Sequence, residues 1–146
     1  MIFLSVDLGD SRTGIAVCDA LEMLASPVAV INERYIPRVL EKTAEYAALY
    51  KAEQIVVGYP KNMNASVGER AEKCAVFAKD LEEKTGIPTV LWDERLTTVM
   101  AHNALNEAKS FGKKRKAIID SVAAVMILQS YLDHRRIRNE RSVQGT

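Results

Sequence analysis

The pattern of apolar and polar residues predicts three short β-strands at the start of the chain. Ile2 to Val6 is an apolar, β-branched run that ends on Asp7, and a second apolar run, IAVCD, follows the turn LGDSRTG. Ser26 and Pro27 interrupt the pattern and predict a turn before a third run, Val28 to Ile31. Three strands joined by short turns favour an antiparallel meander.

The spacing of apolar residues then changes, and helices are expected to alternate with strands. Gln54 to Val57 is a short β-branched run that suits a buried strand parallel to the first. The predicted elements are a helix from Pro37 to Tyr50, a strand from Gln54 to Val57, a helix from Val67 to Lys84 with Ser66 as its N-cap, a strand from Thr89 to Trp92, a helix from Thr97 to Ala108 and a helix from Ala117 to Asp133. This order indicates an α/β fold.

Composition narrows the class of protein. A chain of 146 residues with 48% apolar content fits one globular domain, which we place at 1–137, followed by a basic, flexible tail at 138–146. The formal charge of +1 excludes bulk basicity as a means of binding nucleic acid, so any such site must be a local patch.

Cys18 and Cys74 form neither a disulfide framework nor a zinc site. The first apolar run is too short for a signal or membrane span, which predicts a soluble, cytoplasmic protein with no membrane partner.

Acidic residues stand at the ends of two predicted strands and near the start of an apolar helix. Asp7 ends the first strand, Asp93 and Glu94 follow the fifth, and Asp120 lies early in the last helix. Each has an ordinary explanation, since an Asp can start a turn or complement a helix dipole. Together they could converge, and converging carboxylates require cations such as Mg²⁺ or Mn²⁺. Two such ions can activate water against a phosphodiester, which is nuclease chemistry.

Four stretches of the chain carry a family resemblance: VDLGDSRTGIAVCD, IVVGYPKNMNAS, LWDERLTTVMA and IIDSVAAVMILQSYLD. In this order they resemble the YqgF family, also called RuvX or putative Holliday junction resolvase, of the ribonuclease H-like fold. The resemblance implies a mixed sheet of three antiparallel strands followed by two parallel ones, flanked by helices. It also implies a metal-binding, catalytic set of Asp7, an acid of the DERLTT motif and Asp120. Members are regarded as nucleases that mature the 5′ end of precursor 16S rRNA, with Holliday junction resolution as the older assignment.

The second acid of this set is open between two neighbours. Related RuvC-type resolvases carry it on the fourth strand, but here that strand reads IVVGYP and has no acid, so the fifth strand must supply it. Side chains alternate along a strand, and only one of Asp93 and Glu94 can join the cluster. We choose Glu94 because its side chain reaches further, with Asp93 as the substitute.

Several basic and polar residues are candidate contacts for nucleic acid. Arginines near the acids could hold a phosphate bidentately or form ion pairs with those acids, and residues of the loop after the fourth strand could stack on a base or pack beneath the loop. A basic run before the last helix could track phosphates or be a solvated linker. The candidates are Arg12, Arg95, Tyr59, Lys61, Asn62, Lys113, Lys114, Arg115 and Lys116. His102 and His134 have no partner at metal-ligand spacing and are interpreted as surface residues.

Other functions remain to be separated from a nuclease that acts on precursor rRNA. A kinase-like ATPase also begins with an acid and a glycine turn, but that fold requires a much longer chain. A Holliday junction resolvase acting on branched DNA would use the same acids. A noncatalytic RNA-binding factor of ribosome assembly would keep the fold without needing a metal. The sequence leaves the natural substrate and the choice between a monomer and a homodimer open.

Overall fold

The computed structural model describes residues 1–59, 65–93 and 114–144, with side chains described for 1–58, 68–93 and 122–138. Within these residues the strands are β1 (Phe3–Asp7), β2 (Arg12–Cys18), β3 (Ala25–Asn32), β4 (Gln54–Tyr59) and β5 (Thr89–Asp93), and the helices are α1 (Ile36–Leu49), α2 (Ala65–Thr85) and α3 (Lys114–Gln144). The helix predicted from Thr97 to Ala108 lies outside the described residues.

The strands form one mixed sheet in the order β3-β2-β1-β4-β5. Strands β1, β2 and β3 pair antiparallel, whereas β4 pairs parallel with both β1 and β5. The parallel pairs follow from helical crossovers, and the antiparallel pairs follow from short turns. The predicted α/β class and the mixed five-stranded sheet are therefore confirmed.

Alternation along β1 assigns one core to each face of the sheet. Leu4 and Val6 belong to the core beneath α1 and α2, whereas Phe3 belongs to the core beneath α3. All three side chains have no exposed surface. Because successive side chains of a strand point to opposite faces, the residues of β1 with odd numbers face α3. This assignment decides where Asp7 lies.

The third strand begins earlier than predicted. Pro27, interpreted as part of a turn, lies inside β3, which is at the edge of the sheet. The register shifts between Ile15 and Ala16, whose partners are Ala29 and Pro27, so one extra residue is accommodated as a bulge. An edge position and a bulge are the places where a sheet tolerates proline, which donates no ladder hydrogen bond.

The long helix α3 extends beyond its predicted bounds at both ends. Lys114 to Lys116 form its first turn rather than a linker, and 138–144 of the expected tail are helical. The side chains of His134, Arg136, Ile137 and Arg138 are exposed, so no apolar stripe signals this part of the helix. Arg135 Nε lies 2.7 Å from Glu22 Oε1 and ties the helix to the turn between β2 and β3.

The helix α2 begins at Ala65, so Ser66 lies inside its first turn and is not the N-cap. Both cysteines are buried, and neither forms a disulfide. Burial is the main reason that the pKa of Cys18 is raised, although the N–H of Phe3 donates to its sulfur and acts in the opposite direction. Cys18 is therefore a protonated packing residue at neutral pH.

Among the described residues, no helix is both long enough and apolar enough to cross a membrane.

Candidate active site

Asp7 is the last residue of β1 and lies on the face of the sheet that α3 covers. Phe3 and Ser5 precede it at alternate positions, and Phe3 packs into the core beneath α3. The hydroxyl of Ser5 donates a hydrogen bond of 2.7 Å to the backbone oxygen of Ala124 in α3. Asp7 itself is half-buried. Its carboxylate is thus placed at the carboxyl end of a central strand and toward a helix.

Glycines flank Asp7 on both neighbouring strands. Gly14 of β2 is its direct partner in the antiparallel pair. On the other side Val6 pairs with Val57, so the next position of the parallel pair places Gly58 beside Asp7. Neither glycine has a side chain to fill the space beside the carboxylate on the α3 face. On this face, the strand positions on either side of Asp7 therefore present backbone and no side chain.

The helix α3 carries Asp120 toward the same end of the sheet. Along β1 the contact at Phe3 is with Tyr131, whose ring centroid lies 5.5 Å away, and the contact at Ser5 is with Ala124. The helix therefore runs against the direction of β1, and its earlier residues come next along the strand. Asp120 stands one helical turn before Ala124. Its side chain lies outside those described.

Asp93 is the last residue of β5, and the packing of that strand shows which face Asp93 lies on. Val90 and Trp92 pack against the core beneath α3, and Trp92 Nε1 donates to Ser130 Oγ at 3.3 Å. Asp93 follows Trp92 within the strand and therefore faces the opposite side, toward α2. Asp93 is thus placed on the face opposite to that of Asp7. Glu94 and Arg95 lie outside the described residues.

Arg12 begins β2 on the same face as Asp7. It stands two positions before Gly14, the partner of Asp7, and residues two apart on a strand share a face. Its side chain is half-buried. Because β2 is next to β1, the Arg12 guanidinium is one strand away from the Asp7 carboxylate. This position fits either an ion pair with the acid or a contact with a substrate phosphate.

The turn between β1 and β2 depends on Gly9. A Cβ atom at this position would lie 2.1 Å from the backbone oxygen of Arg12, far closer than real contacts allow. The turn can therefore close only around a residue without a side chain, and its closure fixes Arg12 relative to Asp7.

Replacing Gly9 with alanine is expected to open this turn and to lower both stability and activity. The loss of stability should be about 2 kcal/mol, a usual magnitude for a steric clash with backbone. Gly68→Ala is the matched control, because a Cβ there meets nothing within 4 Å and the position is in α2. Thermal melting should show a lower Tm for Gly9→Ala and an equal or higher Tm for Gly68→Ala. Equal melting and equal activity in both variants would refute the role of the turn.

The remaining candidates are only partly described. Tyr59 is the last residue of β4 rather than a loop residue, and Lys114, Arg115 and Lys116 form the first turn of α3, but the side chains of these four are not described. Lys61, Asn62 and Lys113 lie outside the described residues, as does His102. His134 is exposed, as predicted. Within the described residues, no three His, Cys, Asp or Glu side chains lie close enough together to hold a metal. Glu94 and the side chain of Asp120 are outside those residues.

Two features of the site were not predicted from sequence. The glycine pair around Asp7 was not recognised, although a glycine inside an apolar strand often marks close approach of a ligand or of another backbone. Ser5 was read only as part of an apolar run, yet it is fully buried and anchors α3. A buried hydroxyl within a strand is a signal for such an anchor, because it needs a partner.

The fold defines the class of the protein first. Thermus thermophilus RuvC in complex with a Holliday junction substrate is similar in structure, with a TM-score of 0.59 at 10% identity over 92% of this chain and 96% of that chain. The fowlpox virus resolvase in complex with Holliday junction DNA gives a TM-score of 0.56 at 12% identity over 92% of this chain and 98% of that chain. The protein therefore has the RuvC-like, ribonuclease H-like fold.

Sequence comparison then gives the family. The model of the RuvX family, described as Holliday junction resolvase, matches residues 1–134. A Listeria monocytogenes protein named "putative pre-16S rRNA nuclease" is 45% identical over 135 residues, which cover 91% of this chain and 98% of that protein. A Desulfitobacterium hafniense protein of the same name is 44% identical over 139 residues, or 95% and 96% of the two chains. The chain belongs to the RuvX family of nucleases, and the predicted resemblance is confirmed.

Proposed function

We propose that this protein is a divalent-metal-dependent nuclease that matures the 5′ end of precursor 16S rRNA in the cytoplasm. The observation that carries the proposal is the placement of Asp7 at the end of β1, facing the helix that bears Asp120, with glycine on both neighbouring strands. The names of the relatives, which cover nearly the whole chain, support rRNA as the substrate.

The donor chemistry of the site fits Mg²⁺ or Mn²⁺. We assign Asp7, Glu94 and Asp120 as the catalytic, metal-binding set, because hard carboxylate oxygens are the ligands these ions prefer. The alternation along β5 argues against Asp93, because Trp92 faces α3 and Asp93 therefore faces away from Asp7. Glu94 is the other acid of the DERLTT motif, and we assign the role to it. The bound cations would supply activation of water and stabilisation of the leaving oxygen.

The chain's own residues would position the nucleic acid. A phosphodiester could approach the carboxylates beside Gly14 and Gly58, which have no side chain. Arg12, on the same face as Asp7, and Arg95, two residues after β5, could hold phosphate oxygens. Tyr59 at the end of β4 would contact a base, and Lys61 and Asn62, which follow it in the chain, would contact the backbone.

A cleavage assay tests this function. A single-stranded RNA spanning the precursor 16S 5′ end should be cut in the presence of Mn²⁺, and EDTA should abolish the reaction. The noncatalytic alternative predicts that the same RNA is bound with or without metal and is never cut. Intact RNA with Mn²⁺ present would therefore reject the nuclease proposal in favour of the binding factor.

Branched DNA is the second candidate substrate. It is favoured by the two structural neighbours that were solved with Holliday junctions. Resolution of a junction requires two active sites, and a homodimer would supply them, whereas a monomer would suffice for rRNA. A mass measurement in solution with and without a four-way junction distinguishes the two cases. A protein that remains monomeric when bound to the junction would count against resolvase activity.

The basic run Lys113, Lys114, Arg115 and Lys116 is expected to bind the RNA backbone. Replacing all four with glutamine should weaken binding and lower the salt-dependence slope by up to about 3, since each phosphate contact to a single strand contributes about 0.7. The Tm should not fall, because cations in the first turn of a helix do not favour its dipole.

A control with the same charge change is available on the opposite face of the sheet. It replaces the four exposed cations Arg38, Lys51, Lys79 and Lys84 with glutamine. Binding in fluorescence anisotropy at several salt concentrations should be retained more fully in this control. Equal losses in the two variants would mean that the basic run acts only through total charge.

A further inference from the structure

A cleft lined by aromatic and basic side chains lies between β5 and the second half of α3. It has a volume of about 130 Å³ and is lined by Trp92, Tyr131, His134, Arg135 and Arg138. Trp92 is half-buried, whereas His134 and Arg138 are exposed. The acids assigned to catalysis are not part of this lining, and none of the residues used above to position the substrate contributes to it.

The aromatic rings form a continuous ladder from the core to the surface. Phe3 lies 5.5 Å from Tyr131, Tyr131 lies 5.2 Å from Trp92, and Trp92 lies 5.2 Å from His134, all measured between ring centroids. The interplanar angles of 63°, 85° and 68° are those of edge-to-face contacts. The inner end of the ladder, Phe3, is fully buried, and its outer end, His134, is exposed and packs against Trp92. A ring supported by such packing loses less conformational freedom when a ligand stacks on it than an unsupported ring would.

Cations stand beside this ladder on the same helix. Arg138 follows His134 by four residues and Tyr131 by seven, so the three share one face of α3. Arg135 is held by Glu22 and lies over the Phe3 ring, with its Cζ 5.2 Å from the ring centroid. Arg138 is therefore the cation of the cleft that is best placed to meet a ligand from solvent. An exposed aromatic ring beside a guanidinium suits a base together with its phosphate.

The position of Trp92 connects the cleft to the candidate active site. Gly58 of β4 lies between Trp92 and Asp7, because it pairs with Trp92 of β5 on one side and lies beside Asp7 of β1 on the other. The backbones of Trp92 and Asp7 are therefore two strands apart. Two strand spacings amount to about 10 Å. Both residues face α3, and glycine occupies the position between them. The cleft therefore lies within reach of a nucleic acid strand held at Asp7.

We propose that this cleft is a binding subsite for single-stranded nucleic acid, in which a base stacks on the exposed His134 ring, beside Trp92, while Arg138 pairs with a phosphate. The proposal rests on the proposed nuclease function, since it places the subsite beside the strand being cut. A planar aromatic ligand without phosphate would use the rings alone and would not need Arg138.

The test uses the fact that Trp92 is the single tryptophan of the chain. An eight-nucleotide single-stranded RNA without secondary structure is titrated in EDTA at pH 8, so that no cleavage occurs, while tryptophan emission and anisotropy of a labelled RNA are recorded. Binding should change the Trp92 emission. His134→Ala should weaken binding about tenfold, the usual range for one stacked base, and leave the salt slope unchanged. Arg138→Gln should weaken binding and reduce the slope by about 0.7.

Arg38→Gln on α1 is the matched control for Arg138→Gln, because it removes an exposed arginine from the opposite face of the sheet. It should bind RNA as the parent does. Thermal melting of the His134 and Arg138 variants should stay within a few degrees of the parent, since both side chains are exposed. An unchanged Trp92 emission, or parental affinity in either cleft variant, would overturn the subsite, as would failure of the RNA to bind. If the cleft variants bind RNA as the parent does and also cleave it as the parent does, the subsite is rejected but the nuclease function is not.

Discussion

Replacing Asp7 with asparagine is expected to abolish metal-dependent RNA cleavage without loss of stability. Asparagine keeps the shape and hydrogen-bonding capacity of the side chain, but it removes the charge that a hard cation requires. Loss of a metal ligand removes several kcal/mol of transition-state stabilisation, which corresponds to a fall in kcat of about 10³-fold or more. In the metal-free state the removal of one carboxylate from a crowded cluster relieves repulsion, so the Tm should be equal or higher.

Asp10→Asn is the matched control for this experiment. Asp10 lies in the same turn, is 87% exposed and has its carboxylate 3.8 Å from Lys73 Nζ, an exposed pair that contributes little to stability. Its replacement should leave both cleavage and melting at the level of the parent. If Asp7→Asn melted several degrees lower and still cut RNA, Asp7 would be a structural turn residue and the catalytic assignment would fail.

Comparison of Glu94→Gln with Asp93→Asn should show which acid completes the site. Trp92 faces α3, so Asp93 faces the side of α2, away from Asp7. Glu94→Gln is therefore expected to lower kcat by about 10³-fold, as Asp7→Asn does, because both remove a ligand to the same cations. Asp93→Asn should lower kcat by less than about tenfold, since its carboxylate contacts neither the metal nor the reacting phosphate.

The measurement is kcat with Mn²⁺ on one RNA substrate, together with the Tm of each variant. The two variants carry the same change of charge at neighbouring positions, so each serves as the control of the other. The reversed order of effects, with Asp93→Asn inactive and Glu94→Gln active, would transfer the role to Asp93 and would mean that the strand alternation ends at Trp92.

The hydrophobic pattern was sufficient to predict the topology but not all element boundaries. The apolar runs around Val6 and Val57 are typical of central strands, and the structure has them in β1 and β4. Pro27 was misleading because local turn propensity was outweighed by pairing with β2 across a bulge. The last turns of α3 were missed because helix formation there is accompanied by exposed, charged side chains rather than an apolar stripe.

The candidate site, too, could be predicted from the sequence only in part. Asp7 could be predicted from its place after a strand, because the carboxyl ends of strands are where α/β sheets position ligands. The choice of Glu94 could only be argued from side-chain length, since sequence shows that neighbours alternate but not which of them faces α3. The packing of Trp92 against Tyr131 shows that Trp92 faces α3 and hence that Asp93 faces away, whereas Glu94 stays a prediction. The cleft around His134 could not be predicted either, because its residues come from two elements whose crossing the sequence does not define.

A crystal structure with Mn²⁺, recorded at a wavelength that shows anomalous scattering from manganese, tests the central claim most directly. We predict an anomalous peak at the carboxyl end of β1, within about 2.0 to 2.6 Å of carboxylate oxygens of Asp7, Glu94 and Asp120. The space left by Gly14 and Gly58 should accommodate it. No peak at Asp7 with Mn²⁺ in excess, or an Asp120 carboxylate that points away from Asp7, would contradict the account.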